Sequence, residues 1–281
     1  MIDLHTHTVN SDGTDTPAQL INKALARGIE VLAITDHDTI SGWDEAIRHL
    51  RPPMQLVLGS EISCQTLEGI SVHMLGLLFD PNFAPLSEVM QKTRENRYGR
   101  MEKILTRLNE AGYLITMHDV LQQLSEGATL GRPHLADALI AKGFVKDREE
   151  AFAQLLHNNS KFYVSHYSPT PEETVRLIKG AGGVAVIAHP FASLRGRTLP
   201  PEVFASLVEA GLDGIEIDHR DHSVTEREQL RGILTEYDLV ATGSSDYHGT
   251  GKLNVLGEFT TRPDQWEKLE ARARERRVVT A

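Results

Sequence analysis

Seven short apolar runs in this chain each end on a histidine, an acidic residue or both. The first run, "IDLHTHT", contains His5 and His7 and is followed closely by Asp12. Imidazoles with carboxylates suit Zn²⁺, Mn²⁺ or iron, whereas a pure oxygen set favours Mg²⁺ or Ca²⁺. The other six runs place residues of the same kinds at His37, Glu61, His73, His189, His219, Asp246 and His248. Seven such runs predict a metal cluster at one end of a parallel sheet.

Strand geometry explains how these residues could meet. Side chains alternate between the two faces of a strand, so His5 and His7 project the same way and can bind one ion. Parallel strands joined by helices bring their C-terminal ends to one rim, where barrel enzymes build active sites. Nine candidates (His5, His7, Asp12, His37, Glu61, His73, His189, Asp246 and His248) exceed the roughly four to six ligands of one ion, so we expect two or three ions.

The elements that must position these residues form a β/α alternation that is interrupted once. Thr16 and Pro17 predict a helix start after the first strand, and Thr170 with Pro171 predict another further along. Between these points, over residues 85–163, strand-like runs stop and helical patterns dominate. We therefore expect an α/β barrel formed by residues 1–84 and 164–281, with a helical insertion at 85–163 that lies over the metal rim.

Composition narrows the class of protein. The 281 residues suffice for one barrel-sized domain with an insertion, and the net charge of −10 argues against non-specific binding of long nucleic acid. No apolar run approaches the roughly 18 residues of a membrane span, and no signal peptide is visible. The single cysteine, Cys64, cannot form an internal disulfide and fits a buried position. These features predict a cytoplasmic protein with no membrane or DNA partner.

The order of the motifs resembles that of the polymerase and histidinol phosphatase (PHP) family of metal hydrolases. The matching features are the HxH pair, a nearby aspartate, "TDHD", a glutamate strand, a lone histidine, "AHP" and "DxH". The resemblance implies a distorted (β/α)7 barrel (TIM-like) with an inserted helical subdomain. It also implies three ligand sets: His5, His7, Glu61 and Asp246; Glu61 as a bridge to His73 and His189; and Asp12, His37 and His248. The expected cofactor is manganese, with zinc, iron and magnesium left open.

Within the family, the chain is similar to a subgroup that has a helical insertion with a "GRPH" motif, here Gly131 to His134. Members of that subgroup remove the 3′-phosphate of nucleoside 3′,5′-bisphosphates, and some act as 5′-to-3′ exoribonucleases on short RNA. Arg132 precedes a predicted helix start, where backbone N–H groups and a forked guanidinium favour a phosphate. The alternative is an ordinary helix cap with Arg132 on the surface.

Further residues could contact the substrate or move protons. Arg97 or Arg100, from a basic helix that could equally be a solvated face, could bind a phosphate, and His219 could bind substrate from a strand end. Asp12 and His37 would contact substrate through the third ion. Asp246 is predicted to be essential for turnover, and His134 or His189 could protonate the leaving ribose oxygen. Asp36 or Asp38 could orient a ligand imidazole.

These inferences favour a phosphatase specific for nucleoside 3′,5′-bisphosphates, with short RNA as a further substrate. Another phosphomonoesterase, acting on histidinol phosphate or a sugar phosphate, is the first alternative. The second alternative is a replication-associated exonuclease or accessory module. The number and identity of the metal ions, the base preference and the oligomeric state stay open at this stage.

Overall fold

The computed structural model of the chain describes residues 1–165, 167–275 and 277–281. Within these ranges the backbone forms one mixed sheet of eight strands. The strands are Ile2–Asp3 (β1), Val31–Ile34 (β2), Gln55–Gln65 (β3), Ser71–Leu77 (β4), Val184–Ala188 (β5), Gly214–Asp218 (β6), Val240–Gly243 (β7) and Val279–Thr280 (β8). The interiors of the longer strands are buried on both faces, as expected for a sheet covered by helices.

The first seven strands follow one another in the sheet in chain order, and β8 pairs with β3. An isolated parallel bridge between Thr6 and Tyr247 joins the chain just beyond β1 to the chain just beyond β7. The backbone N–H of His7 also donates a hydrogen bond of 2.8 Å to the carbonyl of Tyr247. The sheet is therefore nearly closed, and the predicted barrel-like α/β fold is confirmed.

The expectation that all strands are parallel is wrong for β4. This strand runs antiparallel to both neighbours, and His73 near its start lies opposite Ser63 of β3 and Ala188 of β5. His73 therefore reaches the rim from the first residues of its strand and not from its end. The five residues 66–70 between β3 and β4 are too few for a parallel crossover, which needs about a dozen or more residues.

Ten α-helices lie in the described residues. They are Pro17–Ala26 (α1), Trp43–His49 (α2), Ala84–Glu110 (α3), Met117–Leu121 (α4), Arg132–Ala141 (α5), Arg148–Ala151 (α6), Pro171–Gly180 (α7), Val203–Ala210 (α8), Val224–Glu236 (α9) and Pro263–Glu270 (α10). Both predicted helix starts are confirmed, because the hydroxyls of Thr16 and Thr170 cap α1 and α7. Among the described residues, no helix has the length and apolar character needed to cross a bilayer.

Helices α3 to α6, and the π-helical turn Phe152–Leu156, lie between β4 and α7 in the chain. Their apolar side chains, from Met101 to Phe162, form a core of their own. The first turns of α3 differ, because Leu86 and Met90 pack into the barrel core. We propose on this basis that residues 85–163 form an inserted helical subdomain whose longest helix begins on the barrel.

Candidate metal centre and phosphate site

All nine predicted ligands lie at one rim of the barrel. They form four overlapping groups with a tenth residue, Glu216, and within each group the candidate ligand atoms lie within 4.8 Å of one another. The groups are His5, His7, Glu61 and Asp246; His7, Asp12, His37 and His248; His37, Glu61 and His73; and His5, His189 and Glu216. The structure thus assembles the predicted cluster, while the assignment of each residue to an ion stays a prediction.

Glu61 lies at the centre of the cluster, and its two carboxylate oxygens face different histidines. Oε1 is 2.7 Å from Nδ1 of His73 and 3.1 Å from Nε2 of His189. Oε2 is 3.0 Å from Nε2 of His7 and 3.1 Å from Nδ1 of His37. A carboxylate whose oxygens face two different ligand sets has the arrangement expected of a group that bridges two ions.

The pKa values of the cluster residues determine which of them can bind a cation at pH 7. Burial alone would raise the pKa of Glu61, but the facing imidazoles outweigh it and hold that pKa well below its usual range. Burial lowers the pKa of His37 to about 3 and that of His248 to about 4, so both rings are neutral at pH 7. Burial acts in the same direction on His7, but hydrogen bonds to Asp246 and Glu61 dominate and raise its pKa to about 9. Ionised carboxylates and neutral imidazoles are the forms that bind metal ions, so Glu61, His37 and His248 are ready to bind. His7 must first release its proton.

The hydrogen bonding of the cluster fits a metal-ligand role. Asp12 Oδ1, His37 Nδ1 and His248 Nε2 are buried and have no hydrogen-bond partner among the described residues. Asp12 Oδ1 and His248 Nε2 are only 3.2 Å apart, yet they do not meet hydrogen-bond geometry. Buried polar atoms in proteins are normally paired, so converging unpaired donor atoms are a signature of ligands for a cation. The residues present therefore fit divalent ions.

The backbone is strained at this rim. Four described residues other than glycine have a positive φ, and three of them belong to or adjoin the cluster: Asp38 at 52°, His189 at 32° and Asp246 at 51°. Such conformations cost about 1–3 kcal/mol each and persist where the surroundings enforce them, often at functional sites. The surrounding structure therefore holds His189 and Asp246 in unfavourable backbone conformations that direct their side chains into the cluster.

Carboxylates behind the cluster orient its imidazoles. Glu216 Oε1 accepts a hydrogen bond of 3.0 Å from Nδ1 of His5, and Glu216 Oε2 accepts one of 2.8 Å from the backbone N–H of His189. Asp36 acts indirectly, because it accepts a 2.6 Å hydrogen bond from Ser11 Oγ, which lies 3.3 Å from Nδ1 of His7. Sequence reasoning missed Glu216, because the run "GIEID" indicates a buried glutamate but not the face of the sheet on which it lies.

Asp246 joins the cluster to a set of cations. Its Oδ2 accepts hydrogen bonds from Arg195 at 2.7 Å and from Lys252 at 3.0 Å, and lies 3.4 Å from Nε2 of His219. Its Oδ1 lies 3.4 Å from ring nitrogens of His5 and other cluster histidines. Arg195 and Lys252 were not predicted, because Arg195 ends the short 3₁₀ turn Ser193–Arg195, Lys252 lies on a loop, and neither has a motif around it. They add positive charge beside the ligand set, where a phosphate would be attracted.

Two of the remaining predicted histidines each accept a backbone hydrogen bond at Nδ1. Nδ1 of His219 accepts a 3.0 Å hydrogen bond from the N–H of Asp221, so the proton of a neutral ring lies on Nε2. That buried Nε2 has no hydrogen-bond partner among the described residues and is free to donate. In His134, Nδ1 accepts a 3.0 Å hydrogen bond from the N–H of Gly131, so the proton of a neutral ring lies on Nε2. The role of His134 in proton transfer stays a prediction.

The three predicted arginines fall into two kinds. Arg97 is paired, with Nη2 lying 2.7 Å from both Asp38 Oδ2 and Ser63 Oγ. Arg100 and Arg132 have no carboxylate partner in the described part of the chain and contact only backbone carbonyls and aromatic rings. Burial lowers the pKa of Arg100 to about 9 and that of Arg132 to about 10, and repulsion from Arg97 adds to the lowering of both. Arg100 and Arg132 thus form a pair of guanidinium groups that lack a counter-charge.

Comparison with known proteins defines the class of this site. The PHP domain model matches residues 3–169 of the chain. A structure provisionally described as that of a metal-dependent phosphoesterase from Bifidobacterium adolescentis superposes with a TM-score of 0.92 at 41% identity, covering 97% of this chain and 96% of that one. The fold and site are therefore those of a metal-dependent phosphoesterase. The chain belongs to the PHP domain family.

Several curated relatives match nearly the whole chain. A 3′,5′-nucleoside bisphosphate phosphatase from Chromobacterium violaceum is 34% identical over 96% of this chain and 97% of its own length. A phosphoribosyl 1,2-cyclic phosphate 1,2-diphosphodiesterase from Eggerthella lenta is 35% identical over 88% and 94%. A 5′-3′ exoribonuclease from Haemophilus influenzae is 32% identical over 95% and 98%. These relatives share the cleavage of a phosphate ester and differ in the ester.

Proposed function

We propose that this protein hydrolyses the 3′-phosphate of nucleoside 3′,5′-bisphosphates, with two or three manganese ions in the histidine and carboxylate cluster. The observation that supports this substrate is the pair of guanidinium groups of Arg100 and Arg132, which lack a carboxylate partner in the described residues. A monophosphate needs only the metal cluster, whereas a substrate with two phosphates needs a second centre for an anion. The relative from Chromobacterium violaceum supports the same choice.

At the cluster, divalent ions would supply Lewis acidity and charge neutralisation for the 3′-phosphoryl group. His5, His7, Glu61 and Asp246 would hold one ion, Glu61 with His73 and His189 a second, and Asp12, His37 and His248 a third. Arg195 and Lys252, which contact Asp246, would attract the phosphoryl oxygens. The unpaired Nε2–H of His219 is the donor best placed to hydrogen-bond the phosphoryl group or protonate the leaving oxygen.

On the insertion, Arg100 and Arg132 would bind the 5′-phosphate. Both guanidinium planes lie near the ring of Tyr163, at 5.2 and 5.5 Å from its centre, which restricts their orientation. Arg100 also lines an open cleft of about 470 Å³ together with Lys103 and Tyr167. Glu95 also lines the cleft and Lys92 lies 3.8 Å from the centre of the Tyr167 ring, so cations outnumber the one carboxylate. The size and charge of the cleft suit a further nucleotide, which favours short RNA as a second substrate.

The experiment is to measure phosphate release from adenosine 3′,5′-bisphosphate by manganese-reconstituted protein, with the nucleotide product identified. We expect AMP as the product and little turnover of 5′-AMP or histidinol phosphate. Hydrolysis of the monophosphates with the bisphosphate left intact would refute the proposal. Phosphoribosyl 1,2-cyclic phosphate belongs in the same panel, because preferential cleavage of that compound would assign the protein to the diphosphodiesterase class.

Variants of Arg100 and Arg132 test whether these two residues bind the 5′-phosphate. Arg100→Met and Arg132→Met should each raise KM for the bisphosphate about 10-fold or more and change activity on a generic aryl phosphate by less than about twofold. Arg107→Met is the matched control, because Arg107 lies on the same helix as Arg100 but, among the described residues, hydrogen-bonds only to the carbonyls of residues 161 and 163. An equal loss on both substrates in the Arg100 and Arg132 variants would contradict their assignment to the 5′-phosphate.

A further inference from the structure

The loop that contains Asp12 is held by the helical insertion through three successive residues. The N–H of Thr129 donates a 2.9 Å hydrogen bond to the carbonyl of Asn10. The ring of His134 lies beside the backbone of Ser11, which opposes the lowering of the His134 pKa by burial. Nη1 of Arg148 donates a 3.2 Å hydrogen bond to the carbonyl of Asp12 itself. Contacts to backbone atoms on consecutive residues fix the path of the loop as well as its distance from the insertion.

Arg148 is itself held rigidly. Its Nε and Nη2 donate hydrogen bonds of 2.7 and 2.6 Å to the two carboxylate oxygens of Asp137 on α5, which is the forked arrangement that restricts a guanidinium most. Nη1 is left free to reach Asp12. The side chain of Arg148 is only 17% exposed, so this geometry is not an ordinary surface ion pair.

Arg148 also lies against the turn that follows His248. A Cβ atom added to Gly251 in that turn would lie only 2.2 Å from Nη1 of Arg148, so the guanidinium packs directly on the glycine. The turn is tied to the Asp12 loop, because the N–H of Thr14 donates a 3.1 Å hydrogen bond to the carbonyl of His248. One guanidinium therefore contacts both chain segments that supply Asp12 and His248 to the cluster.

We propose that Arg148, oriented by Asp137, is a positioning residue for the metal ion bound by Asp12, His37 and His248. The proposal rests on the metal-dependent hydrolysis proposed above, and it gives the insertion a role at the metal centre in addition to substrate binding. The side chain of Asp12 depends on this support, because its Oδ1 has no hydrogen-bond partner among the described residues. Among the described residues, Arg148 is the one residue of the insertion that hydrogen-bonds to Asp12, and its loss would release the segment that holds the Asp12 carboxylate beside His248.

The test measures manganese binding without substrate, by titrating free Mn²⁺ with electron paramagnetic resonance. Asp12→Asn first identifies which binding step involves Asp12. Arg148→Gln should weaken that same step about 10- to 100-fold, the usual range for partners of metal ligands, and leave the other steps within about twofold. Arg148→Lys, which keeps the charge and can still donate to the Asp12 carbonyl, should recover part of the loss. Wild-type affinity at every step in Arg148→Gln would overturn the proposal.

Further variants separate positioning from general damage to the fold. Asp137→Asn keeps one acceptor for Arg148 but removes the forked ion pair, and should weaken the same step by less than Arg148→Gln does. Lys142→Gln is the control, since it breaks a 2.9 Å ion pair with Asp119 on the same insertion without contacting the loop. Equal weakening of all binding steps in both the Arg148 and Asp137 variants would refute a selective role, whatever their melting temperatures.

A double variant and an activity measurement complete the design. Adding Arg148→Gln to Asp12→Asn should cause no further loss of manganese affinity, because both changes act on one binding step. Additive losses would contradict the proposal. If the binding pattern holds but the bisphosphate is not a substrate, the positioning role stands and the proposed function fails. If the bisphosphate is hydrolysed but the binding pattern is absent, the proposed function stands and the positioning role of Arg148 fails.

Discussion

Replacement of Glu216 by glutamine tests whether the carboxylate behind the cluster sets its metal affinity. Glu216 accepts two hydrogen bonds, from Nδ1 of His5 at 3.0 Å and from the N–H of His189 at 2.8 Å. A glutamine has one oxygen and one NH₂ group, so it can accept only one of these bonds. If the oxygen stays with His189, the NH₂ group faces Nδ1 of His5. His5 must then move its proton to Nε2, the nitrogen that faces Glu61 and Asp246.

The size of the expected loss in Glu216→Gln follows from this geometry. A protonated Nε2 cannot bind a metal ion, so the His5 ligand set loses affinity by about 10- to 100-fold, the usual effect of changing the partner of a ligating histidine. That range corresponds to about 1.4–2.7 kcal/mol of binding free energy. If the glutamine oxygen turns to His5 instead, the N–H of His189 is left unpaired. The free energy of unfolding of the metal-free protein then falls by about 1–3 kcal/mol.

Manganese titration and thermal unfolding of the Glu216→Gln protein distinguish these two results. Glu258→Gln is the control, because Glu258 pairs with the half-exposed Arg220 at 3.0 Å and lies outside the cluster groups. We expect at least one of the two quantities to change in Glu216→Gln and neither to change in the control. Wild-type manganese affinity together with wild-type stability would refute the role given to Glu216.

Three further predictions follow from the same geometry. Asp246→Asn should lower phosphate release at least about 100-fold while circular dichroism stays unchanged, and a near-normal rate would contradict the ligand assignment. Cys64, only 2% exposed and with its thiol pKa raised by burial, should react with a thiol reagent at pH 8 at least about 100 times more slowly than in unfolded protein. The protonated His7 ring, with a pKa raised to about 9, stabilises the metal-free protein fully below its unfolded pKa of about 6.5, and this stabilisation is lost as pH rises through 9. Manganese binding at pH 7.5 should therefore release protons, which calorimetry in two buffers of different ionisation heat would detect.

The metal cluster could be predicted from the sequence because the residue spacings that indicate it lie within short segments of the chain. His5 and His7 are two residues apart on a strand, so their shared direction follows from the strand period alone. The helix starts at Thr16 and Thr170 were equally predictable, since a capping hydroxyl followed by proline acts within one turn of the chain. The rim location then followed from the β/α order of the chain.

Glu216, Arg195 and Lys252 could not be assigned in the same way. A glutamate in a strand can face either side of the sheet, and its face is set by pairing with neighbouring strands, which the sequence does not give. Arg195 reaches Asp246 from a single 3₁₀ turn and Lys252 from a loop, and segments this short have no periodicity to reveal the target of a long side chain. The partners of Arg97 were missed for a similar reason, because Asp38 and Ser63 lie on distant segments.

The direction of β4 determines whether the second ligand set can form at all. In a parallel strand the rim would be reached at Leu77, and His73, four residues earlier, would lie about 13 Å below it at about 3.3 Å per residue. In the antiparallel strand His73 lies opposite Ser63, which makes it a diagonal neighbour of Glu61 on the same face. That register accounts for the 2.7 Å separation of His73 Nδ1 and Glu61 Oε1. The reversed strand, which departs from a regular β/α barrel, is therefore what allows Glu61 to bridge two sets of histidines.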